Sequence, residues 1–82
     1  MADINLPAIQ QAALRMAGFV TADRANELRW IAKDCQCAMD GCDESAASVE
    51  EYLASHDDLD REARRWTGIL AIEASAEARR AA

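Results

Sequence analysis

The stretch that decides the fold is 22–54, ADRANELRWIAKDCQCAMDGCDESAASVEEYLA. Leu28, Ile31, Cys35, Ala38 or Met39, Cys42, Ala46, Val49 and Leu53 recur in it at three- and four-residue spacing. That period belongs to one face of an α-helix, and no run alternates apolar and polar as a half-buried strand would. Leu28, Cys35, Cys42 and Val49 stand seven apart, so the seam holds to one side of the helix. Unbroken, such a helix would be about 50 Å long. Gly41 interrupts the pattern. It disfavours a helix interior by about 1 kcal/mol relative to alanine, and marks either a kink or a close packing point.

Outward from this stretch, Thr21 suits an N-cap and Asp23 places negative charge in the first turn. Upstream, Pro7 suits an opening turn. Ile9, Ala13, Met16 and Val20 follow at helical spacing, and Gly18 suits a C-terminal cap. Downstream, Ser55, His56, Asp57 and Asp58 form a polar break in which Ser55 or Asp57 can cap a further helix. Leu59, Ala63, Trp66, Ile69, Leu70 and Ala74 carry its apolar stripe, Arg79 and Arg80 close it, and Ala81 and Ala82 should fray. The expected helices are 7–17, 22–54 and 58–80, in one helical domain spanning 1–82. Short connections set neighbours antiparallel. The fold expected is therefore all-α, a three-helix arrangement with a short N-terminal helix folded against a long antiparallel helical hairpin.

Composition limits what this fold can do. Of 82 residues, 51% are hydrophobic, but nineteen are alanine and three are cysteine, which leaves 20 large apolar side chains. Those can hold a minimal helical core and leave little to line a deep pocket. No apolar run is long enough for a membrane span, and the first residues lack the basic-then-apolar pattern of a secretory signal. A cytoplasmic protein without a membrane partner is the expectation.

Some apolar side chains overshoot the seams. Trp30 lies about 200° around the helix from Leu28. Cys37 follows seven residues later, with Gly41 and Ser48 on the same side. Either the first helix covers this stripe, or a second chain does, or it is simply exposed. On the last helix Trp66 and Ile69 mark the apolar arc, and Ile72 widens it by about 120° from Trp66. An arc that wide meets two neighbours. Trp30, Cys37, Gly41, Trp66, Ile69 and Ile72 are thus the candidate interface. A homodimer forming a helical bundle would relieve the shortage of large apolar residues. Trp66→Ala is expected to cost about 3–5 kcal/mol.

Acidic residues outnumber basic ones 15 to 9, a net charge of −6. That sign opposes direct binding of nucleic-acid phosphates. Asp40, Asp43, Glu44, Glu50, Glu51, Asp57, Asp58 and Asp60 fall in 40–60, which holds no Lys or Arg. The first seven are the candidate acidic partner surface. They read either as a solvated face or as a face that meets a basic partner by imitating nucleic acid.

Cys35, Cys37 and Cys42 lie within eight positions, and the only histidine is His56. An odd number of cysteines fits a reducing compartment. On one helix Cys37 points away from Cys35 and Cys42, which disfavours a shared metal ion, and burial as small apolar groups is expected for Cys35 and Cys42. A calcium loop with Gly41 at its sixth position would need ligands at Gln36 and Ala47, so that pattern fails. Adjacent Glu50 and Glu51 diverge on a helix, and no nucleophile–base set or phosphate loop stands out. No cofactor is implied. The function expected is non-enzymatic: a small acidic helical protein that regulates or inhibits a partner protein by direct binding. Two alternatives stand beside it. One is an inhibitor of the phage anti-defence type (anti-CRISPR or anti-restriction) whose acidic face mimics nucleic acid. The other is a metal or redox sensor built on the three cysteines.

Overall fold

Asn5 opens the first helix by accepting a hydrogen bond from the Ala8 backbone N–H on its side-chain oxygen at 3.1 Å, and Pro7 follows in the opening turn. The computed structural model describes residues 4–81. Among them run four helices: α1 (Leu6–Met16), α2 (Ala22–Met39), α3 (Asp43–Ser55) and α4 (Asp57–Ala81). The all-α expectation holds; the three-helix arrangement does not. Expected fraying at the end falls on Ala81, which is helical, and on Ala82, which lies outside the described residues.

The correction is at Gly41. The expected helix 22–54 is two helices, because Gly41 takes a φ of 107°, a left-handed conformation a helix cannot pass through. The Gly41 N–H bonds to the Ala38 carbonyl at 3.1 Å, and the Cys42 N–H to the Cys37 carbonyl at 3.0 Å. This paired pattern is the Schellman ending of a helix, with glycine at the one position that needs positive φ. Cys42 then serves as the N-cap of α3, with Asp43 and Glu44 in its first turn. Gly18 is no such cap. Among the described residues only Gly41 has positive φ, and α1 ends instead in tight i→i+3 bonds from Gly18 to Arg15 and from Phe19 to Met16.

Contacts fix the topology. Tyr52 near the end of α3 reaches Arg24 and Glu27 in the first turns of α2. α2 and α3 are therefore the antiparallel hairpin, in place of 22–54 against 58–80. The Gln10 side-chain amide donates to the Ala32 carbonyl at 3.1 Å, which sets α1 antiparallel to α2. Ile4 lies beside Asp60 and Arg15 beside Trp66, so α4 runs parallel to α1. α1 sits between α2 and α4, and α3 closes the hairpin side.

The core joins Ile9, Ala12 and Ala13 of α1 to Leu28, Ile31, Ala32 and Cys35 of α2, Val49 of α3, and Leu59 and Ala63 of α4. Alanine lets α1 touch two helices at once, since Ala8, Ala12 and Ala13 are fully buried with only a methyl group to hold a neighbour off. At 25 residues, α4 is about 37 Å long, against about 16 Å for α1. From Ala71 to Arg80 nearly every residue is exposed, so the end of α4 projects past the bundle. Neither Ser55 nor Asp57 caps α4. Ser55 Oγ bonds back to the Glu51 and Tyr52 carbonyls, and His56 alone links α3 to α4.

Candidate interaction surfaces

Trp30 stands on the outer face of α2 and is 66% exposed. The first helix does not cover it, because α1 packs on the Leu28–Ala32 side. Its surroundings are Asn26, Arg29 and Lys33 of its own helix, with the Lys33 ammonium 5.5 Å from the ring centroid. Cys37 and Gly41 continue this exposed line toward the corner.

A second apolar surface forms where α1 ends against α4. Trp66 is half-buried and packed on the core, with the Arg15 guanidinium 5.4 Å from its ring. Arg15, Phe19, Glu62, Arg65, Trp66 and Ile69 line a notch there. Phe19 is 90% exposed, and Ile72, 71% exposed, stands one turn beyond Ile69 on the projecting part of α4. The structure thus groups Trp66, Ile69 and Ile72 on α4 and keeps them apart from Trp30 on the outer face of α2, with α1 packed between the two helices. Phe19 falls outside every apolar seam of the sequence. Its signal was present: Phe19 and Val20 place two large apolar residues in a five-residue connection of a chain short of them.

The seven acidic candidates are all exposed on α3, its two flanks and the first turn of α4. Asp58 among them has a partner. Arg24 donates to Asp58 Oδ1 at 3.0 Å and to Tyr52 Oη at 2.9 Å, while the Tyr52 hydroxyl donates to Glu27 at 3.1 Å. This cluster clasps the start of α2 to the end of α3 and the start of α4. The Arg24 hydrogen bond, then the Leu59 N–H, hold the Asp58 carboxyl below the usual carboxylate range. Burial, then the bond to Glu27, raises the Tyr52 phenol. His56 stacks on Tyr52 with ring centroids 3.8 Å apart, and its Nδ1 lies 2.9 Å from the Tyr52 carbonyl. A carbonyl only accepts, so Nδ1 carries the proton. Ser55 Oγ lies 3.3 Å from that same nitrogen.

The cysteines separate by environment. Cys35 is fully buried, and burial pushes its thiol up to about 12. Cys42, expected to be buried, is exposed, because the corner turns it out of the seam. No cap hydrogen bond is formed by its side chain. The nearby Ser45 hydroxyl, then the Ser45 and Glu44 backbone N–H groups, lower the thiol from its ordinary value. Among the described residues, no three His, Cys, Asp or Glu side chains gather as a metal site. No protein family, curated protein or solved structure matches this chain.

Proposed function

We propose that this chain is a non-enzymatic helical module that regulates or inhibits a partner protein by direct apolar contact, and that two copies pair. One observation carries the reading. Leu14, Phe19, Val20, Trp30, Met39 and Ile72 are exposed, while Ile9, Leu28, Ile31, Val49 and Leu59 are the large apolar side chains buried in the core. A chain this poor in large apolar residues leaves as many on its surface as it buries. Where apolar residues cluster at the surface, as Phe19 does beside Trp66 and Ile69, they mark contact sites, and tryptophan is favoured at the centre of interfaces. The notch beside Trp66 and the projecting end of α4 suit a second copy, and the Trp30 face suits the partner protein.

A second reading rests on the acidic segment: seven exposed carboxylates with no cation in 40–60 fit an inhibitor that occupies a nucleic-acid-binding surface, as anti-restriction and anti-CRISPR proteins can. One experiment separates the readings. Partners captured from the native host are compared for the parent chain, Trp30→Ser, and a variant with Glu50, Glu51 and Asp57 neutralised, at low and high salt. Capture that resists salt and is lost with Trp30→Ser supports apolar contact. Salt-sensitive capture lost on neutralisation supports the acidic reading. Sedimentation at micromolar concentration tests pairing, and a single 9.0 kDa species would refute it.

A further inference from the structure

The corner between α2 and α3 places two exposed thiols at the two ends of one hydrogen bond. In the Schellman ending, Cys37 is the residue whose carbonyl accepts, and Cys42 is the residue whose N–H donates, at 3.0 Å. With standard bond lengths this contact limits the two Cα atoms to about 7 Å apart. A disulfide spans Cα separations of about 4.4–6.8 Å. Side chains at these two positions of the motif commonly touch. Both cysteines are exposed, whereas Cys35 is fully buried. We propose that Cys37 and Cys42 are a redox modification site, which a peroxide converts to a reversible intramolecular disulfide across the α2–α3 corner.

The roles of the two sulfurs follow from their positions. Cys42 heads α3, where the helix N-terminus and the Ser45 hydroxyl favour a thiolate. Its thiolate attacks one oxygen of hydrogen peroxide. The O–O bond breaks, hydroxide leaves and is protonated to water, and Cys42 becomes a sulfenic acid. The Cys37 thiolate then attacks that sulfur, the S–O bond breaks, and a second water leaves. Two thiols are oxidised and one peroxide is reduced to two waters. The ring closed is short, residues 37–42, and staples the last turn of α2 to the first of α3. Cys37 also lies seven residues beyond Trp30, so oxidation alters one end of the exposed α2 face.

The test uses the full chain and hydrogen peroxide, followed by denaturation and alkylation of the remaining thiols. A protease that cleaves before aspartate separates 34–39, which holds Cys35 and Cys37, from 40–42, which holds Cys42. The expected product is these two peptides joined, with Cys35 alkylated, and dithiothreitol releases them. Cys35→Ala keeps the link; Cys37→Ser and Cys42→Ser abolish it. A link through Cys35, links only between chains, or oxidation of Cys42 to sulfinic acid without a link would each overturn the proposal. The fragment spectrum of the parent chain distinguishes Cys35 from Cys37 without any variant.

Discussion

Gly41→Ala and Gly68→Ala are the same chemical change with opposite expected signs. At Gly41, φ is 107°, and an added Cβ meets no atom within 4 Å. The penalty is therefore purely conformational, about 1–2 kcal/mol or more for an L-residue held left-handed. Gly68 lies inside α4, exposed and without positive φ, and its Cβ also meets nothing within 4 Å. There alanine gains about 1 kcal/mol of helix propensity. For a domain of this size, each kcal/mol moves the melting temperature by about 4–8 °C. Gly41→Ala should thus melt at least about 4 °C below the parent, and Gly68→Ala about 4–8 °C above it. Far-ultraviolet circular dichroism on heating reads both. If 22–54 were one continuous helix, Gly41 would behave like Gly68 and alanine would stabilise there too. A Gly41→Ala protein that melts higher and gains helical signal would refute the corner.

Three further outcomes follow from the packing and the charges. Trp66 is half-buried, so Trp66→Ala should cost about 2 kcal/mol, below the fully buried range, while exposed Trp30→Ala should stay within about 0.5 kcal/mol; equal losses in urea titrations would contradict the assignment. The folded Asp58 pKa is lowered by Arg24, so the pair stabilises above the ordinary carboxylate pKa and loses its effect as pH falls through the folded value. Asp58 is half exposed, so Asp58→Asn should cost under about 1 kcal/mol near neutrality, and its urea midpoint should converge on the parent's in acid; a gap that ignores pH would refute the linkage. Native protein should take up iodoacetamide at Cys37 and Cys42 but not at Cys35; mass spectrometry finding a third label without denaturant would show that Cys35 is not core.

Much of this architecture was legible locally. The Thr21 side chain caps α2 at 3.4 Å, Asp23 sits in its first turn, and Leu28, Ile31, Cys35 and Val49 are all buried as their spacing required. The corner was harder to read, because Cys42 keeps the seven-residue spacing while turning onto a new axis. Periodicity counts positions along a chain and is blind to a reversal that preserves the count. Helix propensity could not decide it either, since one interior glycine costs only about 1 kcal/mol. Tertiary contacts decide it: Tyr52 can meet Arg24 and Glu27 only if the chain turns back. The candidate interface split for the same reason. In the sequence Trp30 and Ile72 lie beyond a seam and Trp66 belongs to the stripe of its helix; in the fold Trp66 packs against the core under Arg15, while the face opposite Leu28 meets no helix.

Alanine explains why large side chains remain outside. Ala8, Ala12 and Ala13 bring α1 close to both α2 and α4, so backbone and Cβ atoms fill space that larger residues would fill in a looser bundle. Such a core excludes water over short distances and gains less apolar area per residue than one built on leucine. Five large buried side chains, with Ile4, Leu6, Met16, Tyr52, Leu53 and Trp66 packed partly buried against them, close this core and leave six large apolar residues exposed. If those exposed groups served stability alone, Leu14, Phe19, Trp30 and Ile72 would be poorly placed, since each keeps at least half of its surface in water. Their positions, on α1, in the α1–α2 connection, on the outer face of α2 and along the projecting part of α4, support the proposed contacts with other molecules. The small core and the apolar surface are therefore two consequences of one compositional choice.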